Sequence, residues 1–239
     1  MSVKGFRKEG APSRADAFAA EADGLEALRP HIRVPQVLDR GIRNGKAFIL
    51  LEQLDLQRSG DFAQLGRMLA ALHRQTAPRF GWARDNYIGL TAQQNGWRDD
   101  WAEFWREHRM RPQVDLAKKN GFAVEMPPLA LLENHRPQPS LLHGDLWSGN
   151  AGFTANGPVV FDPAVYYGDR ETDLAMTELF GGFPREFYQG YNEAFALAPG
   201  YEQRKHLYNL YHLLNHLNIF GGGYLAQVKA TLSLLAGRL

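Results

Sequence analysis

Cysteine is absent from the 239 residues. That excludes disulfides, thiolate catalysis and cysteine-based zinc sites, and it suits a reducing compartment. Strong charge of either sign is absent too. The 27 Lys and Arg stand against 26 Asp and Glu, a net charge of +1, so no field steers the chain toward nucleic acid or an anionic membrane. No run approaches the roughly 18 apolar residues of a membrane span. The first ten residues, MSVKGFRKEG, hold no apolar signal core. The expected setting is the cytoplasm. There is no internal repeat and no low-complexity segment. Hydrophobic residues make up 44%, ordinary for a globular chain, and the length allows one large domain or two small lobes sharing a core.

The local patterns divide the chain unevenly. Ser13 to Leu28 reads as a helix capped by Ser13, with Asp16 three residues on and Pro30 ending it. Val34 to Leu54 reads as a β-hairpin, its runs Val34–Leu38 and Ala47–Leu51 joined by Asn44-Gly45. The pattern then turns helical. Asp61 to His73 places Phe62, Leu65, Met68, Leu69 and Leu72 on one face. Trp97 to Met110 does the same with Trp97, Trp101, Phe104 and Trp105, a stripe that reads as core, and Pro112 interrupts it. Leu129 to His135 reads as a shorter helix. Short strands are expected at Ser140–Leu142 and Val159–Phe161, with Asn156-Gly157 as a turn, and helix again from Arg170. The expected fold is α+β and bilobal, like a protein kinase: a small mixed α/β N-terminal lobe over residues 1–54 and a large, mainly helical C-terminal lobe over 55–239, connected near Gln53–Ser59.

The segment from His143 to Asn150, HGDLWSGN, fits the spacing H-x-D-x-x-x-x-N of a kinase catalytic loop. Phosphoryl transfer asks for an acceptor hydroxyl held in line, a carboxylate to take its proton, and magnesium on the phosphates. Asp145 suits the carboxylate role. Asn150 offers a neutral oxygen to a hard cation, and His143 supports the loop. Asp162 follows at the end of the apolar run Val159-Val160-Phe161, before Pro163, where a second magnesium ligand would sit. An H-G-D triplet alone is common, and a lone Asp after a strand is usually a turn residue; the two together favour the kinase reading.

A kinase of this plan also needs a lysine on an N-terminal strand paired with a glutamate on the next helix. Glu21 suits the glutamate. Lys8 is favoured over Lys4 by its distance from Phe18-Ala19-Ala20-Glu21. The segment Phe48 to Leu54 reads as a last strand entering a hinge, where backbone groups of Glu52, Gln53 and Leu54 would meet an adenine ring. No glycine-rich phosphate loop precedes Lys8. The two strands that would carry one would lie before Met1, so the N-terminal lobe reads as truncated: a misplaced start, a fragment, or a natural loss.

With these residues in place, the chain resembles the fructosamine kinase (ketosamine-3-kinase) family, itself similar to aminoglycoside and choline kinases. The likeness runs over nearly the whole chain. It includes FAAEADGL from Phe18, LAALH from Leu69, FGW from Phe80, DNYIG from Asp85, NGW from Asn95, HGDLWSGN from His143 and the segment Asp162 to Met176. The resemblance implies ATP-dependent phosphorylation of a sugar hydroxyl on a small-molecule ketosamine or a glycated lysine, and hence deglycation. It implies Asp145 as base, Asn150 and Asp162 as magnesium ligands, and Lys8 with Glu21 as the phosphate-positioning pair. The absent glycine-rich segment is its one departure. The alternatives are an aminoglycoside- or choline-type kinase of the same fold, and a catalytically weak nucleotide-binding protein.

Trp147, inside the loop, is expected either to pack on the substrate sugar or to close the core. Asp173 is expected to brace the loop through backbone hydrogen bonds, and Asp169 and Glu171 to be solvated or structural. His212 and His216 have the i, i+4 spacing of metal ligands. With no third ligand evident and Leu213, Leu214 and Leu217 between and around them, they read as packing or surface histidines.

Overall fold

The computed structural model describes residues 4–57 and 59–237. Met1 to Val3, and Arg58 within the expected Gln53–Ser59 connection, lie outside them. β1 (Gly5–Gly10) leads through a short 3-10 turn at Pro12–Arg14 into α1 (Ala15–Leu28). β2 (Val37–Arg43) and β3 (Lys46–Glu52) then form a hairpin. Asn44 and Gly45 both take positive φ, 52° and 72°, the two-residue turn whose twist matches its flanking strands. The three strands make one antiparallel sheet in the order β1-β3-β2. α1 packs Phe18, Leu25 and Leu28 inward.

The expected Ser13 cap does not form. The 3-10 turn takes up Ser13, and no side chain caps the start of α1. The strand that the kinase plan asks for at Lys8 is present as β1, though no local pattern marked its bounds. Its sequence, GFRKEG, is charged and mostly exposed, and only pairing with β3, register Lys8 opposite Ile49, defines it.

α2 (Phe62–His73) starts at the Asp61 cap, whose carboxylate accepts from the Gln64 N–H at 2.8 Å. A small hairpin follows, β4 (Asn86–Ile88) and β5 (Thr91–Gln93). Next come α3 (Trp101–Phe104), a π-helical turn at Trp105–Met110, and α4 (Arg111–Lys119). The aromatic stripe thus begins at Trp101 rather than Trp97. Pro112 does not interrupt the helix. It sits in the first turn of α4, where a missing N–H costs little, directly after the widened turn. α5 (Ala130–Glu133) precedes β6 (Ser140–Leu142), β7 (Ala151–Thr154), β8 (Gly157–Val160) and β9 (Tyr166–Gly168). β7 pairs with β8, and β6 with β9.

The remainder is helical: α6 (Glu171–Leu179), α7 (Arg185–Ala194), α8 (Tyr201–Phe220) and α9 (Leu225–Ala236). α2 and α7 cross closely. A Cβ at Gly66 would lie 2.1 Å from the Phe187 carbonyl oxygen, so only glycine fits there. Trp101, Phe104 and Trp105 are buried against Tyr166, Tyr208 and Tyr211. The fold is α+β, with an antiparallel sheet at its N-terminal end and a helical C-terminal part. No helix among the described residues is long and apolar enough to cross a membrane.

Candidate active site

The loop from His143 to Asn150 leaves β6 and returns as β7, so its ends are fixed by two separate strand pairs. Gly144 makes the turn. Its φ is +84°, and a Cβ there would lie 2.0 Å from the Ala164 carbonyl oxygen. Asp173 on α6 accepts the N–H groups of His143 and Gly144, each at 2.8 Å. It also accepts from His73 Nε2 at 3.1 Å. The other His73 nitrogen meets the Tyr191 hydroxyl at 2.8 Å. His143 donates from Nε2 to the Phe161 carbonyl at 3.0 Å, and its Nδ1 accepts from the Asp145 N–H at 3.3 Å. Burial pushes His143 below its ordinary value, and a neutral ring suits one donor and one acceptor nitrogen.

These bonds fix the Asp145 backbone. Asn150 fixes its side chain, donating from Nδ2 to the Asp145 carbonyl at 2.8 Å and to Oδ2 at 3.2 Å. Burial pushes the Asp145 carboxyl up to about 7; the Asn150 hydrogen bond opposes that rise and the nearby Asp162 and Asp173 add to it. A carboxylate raised toward neutrality is a stronger base than an ordinary one.

The second strand pair delivers Asp162. Phe161 N–H bonds to the Asn150 carbonyl at 3.0 Å, and Ala164 N–H to that of His143 at 2.8 Å. Between them Asp162 is held at φ +56°, a conformation few non-glycine residues adopt and one associated with functional sites. Lys8 of β1 reaches it. Its Nζ lies 2.5 Å from Asp162 Oδ1 and 2.8 Å from Glu21 Oε1 on α1. Burial pushes the Lys8 ammonium down, and the two carboxylates outweigh it, so its pKa ends above the usual value. Burial pushes Glu21 up against the pull of Lys8. Lys4 is exposed, and its carbonyl accepts the Gln53 N–H at 2.8 Å.

Two cavities meet at Lys8 and Asp162. One, about 300 Å³, is lined by Lys8, Glu21, Asp145, Trp147, Asn150 and Asp162. The other, about 390 Å³ and mostly apolar, lies beside Phe6, Leu51, Glu52, Gln53, Leu54 and Phe161. Of the three expected hinge residues, Glu52 and Gln53 have their N–H groups bonded to the carbonyls of Gln36 and Lys4. The Leu54 N–H has no backbone partner among the described residues. The Glu52 carboxylate is held by Arg33 at 2.9 Å. Trp147 is half-buried, with its ring edge-on to Phe180 at 6.2 Å.

Several lining residues carried no usable sequence signal. Tyr87, Asn215, His216 and Phe220 face the first cavity from β4 and α8. His212 is buried with its Nδ1 4.0 Å from Asp145 Oδ1; its spacing to His216 was visible, but not its neighbour 67 positions earlier. His216 Nδ1 bonds instead to the His212 carbonyl at 2.9 Å. Among the described residues the two histidines join no metal-like cluster; the one group found, His135, Asp169 and Glu171, is an ion-pair network closed by Arg204 and Tyr208.

The model of the fructosamine kinase family matches residues 3–237. A "Probable ketoamine kinase" from Synechocystis is 49% identical over 227 residues, covering 90% of this chain and 77% of its own. The crystal structure of a "Putative fructosamine-3-kinase" from Haemophilus somnus superposes with a TM-score of 0.90 at 33% identity, covering 97% of this chain and 83% of that one. A type VIII aminoglycoside-3'-phosphotransferase shares the fold alone, with a TM-score of 0.54 at 19% identity over 87% of this chain and 84% of its own. A match across nearly every residue, with close to half of them identical in a relative, is decisive: the chain belongs to the fructosamine kinase family.

Proposed function

We propose that this chain is an ATP-dependent kinase that phosphorylates a sugar hydroxyl of a ketosamine, an amine or lysine carrying a fructose or ribulose unit. The observation that carries the reading is the junction of the two cavities. Lys8, paired with Glu21 and touching Asp162, stands between an apolar slot fit for an adenine ring and a polar cleft holding Asp145. The reading treats residues 1–54 and 55–239 as the two lobes that enclose them.

The donor set suits magnesium. Asp162 presents carboxylate oxygens to the cleft, and Asn150, whose Nδ2 is spent on Asp145, has its amide oxygen left to offer. The Lys8 ammonium on Asp162 Oδ1 is in keeping with a carboxylate that faces positive charge. Magnesium-bound nucleotide supplies the phosphoryl group and neutralises its charge in transfer. Lys8 orients the phosphates while Glu21 holds Lys8 in place. Asp145 aligns the acceptor hydroxyl and takes its proton as that oxygen bonds to the γ-phosphorus and the bond from phosphorus to the bridging oxygen breaks, with ADP leaving. Asp173 and His143 keep the loop rigid so that the alignment persists. Trp147 offers a ring face for the sugar at the cleft wall.

The carboxylates of the cleft are Glu21, Asp145 and Asp162, and Glu21 and Asp162 already have Lys8. Among the described residues that line the cleft there is no further carboxylate, which favours a ketosamine over a polycationic aminoglycoside. Phosphorylation destabilises a ketosamine adduct, so the proposed outcome is deglycation. The test is ATP consumption with fructosyl-lysine and ribulosyl-lysine, by the chain and by Asp145→Asn. Turnover with one of them, lost in the variant, is expected. Equal rates in the two proteins would remove Asp145 from the mechanism, and no turnover with either would reject the acceptor class.

A further inference from the structure

The mechanism above leaves one buried polar atom beside Asp145 unused. His212, on α8, is almost wholly enclosed, and its Nδ1 has no hydrogen-bond partner among the described residues. Such an atom is costly, and where it survives in a folded protein it asks for an explanation. Asp145 Oδ1 lies 4.0 Å away. Asn150 approaches the same carboxylate from its other oxygen, Oδ2. The two groups therefore flank one carboxylate, the amide in contact and the imidazole about one ångström short of it. Hydrogen bonds of this kind are often long without substrate and tighten in the reacting complex.

We infer that His212 is a positioning residue for Asp145, its Nδ1–H donating to Oδ1 once the acceptor sugar is seated. The inference rests on the kinase reading. The ring is suited to the task. Burial drives its pKa down to about 3, so it stays neutral and carries one N–H. In the ionised state that takes up the hydroxyl proton, Asp145 only accepts, so the pairing requires the imidazole hydrogen on Nδ1. His216 Nδ1 bonds to the His212 carbonyl, and the Tyr211 ring packs edge-on at 5.2 Å, so this turn of the helix is fixed. With Oδ1 and Oδ2 each holding one donor, the remaining lone pairs of Asp145 face the acceptor hydroxyl from a single orientation.

Three variants separate a donor from a space-filler. The amide nitrogen of asparagine overlays imidazole Nδ1, that of glutamine reaches the far nitrogen, and leucine only fills volume. His212→Asn is expected to keep kcat within about threefold. His212→Gln and His212→Leu are expected to lose ~10- to 100-fold in kcat, the scale of a misplaced reacting group, with KM for ATP and ketosamine unchanged. Equal loss in all three variants, or a change confined to KM, overturns the inference. A second measurement needs no change at His212 and no turnover: 15N spectra of the imidazoles in the wild type and in Asp145→Asn. A protonated-type Nδ1 resonance for His212 that shifts in Asp145→Asn is expected; an unprotonated Nδ1 overturns the inference. Absence of wild-type turnover beside a protonated Nδ1 would strike the kinase reading and leave the pairing with Asp145 standing.

Discussion

The two sides of the cleft are built on different principles. On the phosphate side, Lys8, Glu21 and Asp162 are joined by ion pairs alone, and their side chains are 24%, 15% and 45% exposed. On the acceptor side, Asp145 is held by a net of hydrogen bonds that runs through His143, Asp173, His73 and Tyr191, the last three almost without solvent contact. Wet ion pairs contribute little stability and exchange partners readily. Dry networks contribute more and resist change. The comparison fits the proposed roles: a lysine that trades a carboxylate for phosphates sits in the more exposed set, and a base that meets a hydroxyl at one angle sits in the enclosed net.

Substitutions on each side test that contrast. The largest expected effect is on chemistry. Asp145→Asn should lower kcat by about 10²- to 10⁴-fold with thermal midpoint nearly unchanged, measured by ATP consumption and melting. On the same dry side, Asp173→Ala should cost about 3–5 kcal/mol in urea unfolding, because it strands His73 and two loop amides. Its activity should fall with it, since the loop loses its brace. A loss below about 1 kcal/mol would deny the network its structural role. On the more exposed side, Lys8→Met should lower kcat/KM for ATP by roughly 100-fold through lost phosphate positioning, and cost about 1–2 kcal/mol by leaving the part-buried Glu21 unpaired, less than Asp173→Ala. A large stability loss there would erase the distinction between the two sides. The smallest effect belongs to Arg84→Ala, which breaks a half-exposed pair with Asp16 on α1. Unfolding should change by under about 1 kcal/mol, with catalysis unaltered.

What the sequence disclosed follows the range of the interactions. The Asn44-Gly45 turn and β6 were readable because turn chemistry and a short apolar run are local. Asp145, Asn150 and Asp162 could be singled out because a fixed spacing and an acidic residue ending an apolar run are local patterns, and the structure brings the three to one cleft. The bounds of β1 were hidden, though the kinase plan asked for a strand at Lys8, because its pattern is charged on both faces and its partner strand lies about forty residues on. The helix start at Ala15 was misjudged because a 3-10 turn absorbed the residue best suited to cap it. The π-helical turn had no signature beyond Pro112 downstream. The approach of His212 to Asp145 depends on how α8 packs under the loop, which no local pattern records.

That π-helical turn has a consequence for the chain as a heritable object. It holds Arg109 buried, with one guanidinium nitrogen 2.6 Å from the Gln94 carbonyl, another 2.8 Å from Asn95 Oδ1, and its carbon 3.9 Å from the centre of the Tyr166 ring. It also leads into α4, whose Gln113, Val114 and Ala117 face inward. A wide turn of this kind carries one residue more than an α-helical turn over nearly the same rotation, so deleting one residue between Trp105 and Met110 would restore an ordinary helix and leave that inward face in phase. What the deletion would cost is the seat of Arg109, which would lose its reach to Gln94, Asn95 and Tyr166. Length changes in this six-residue window should therefore be selected against through the buried guanidinium rather than through the packing of α4.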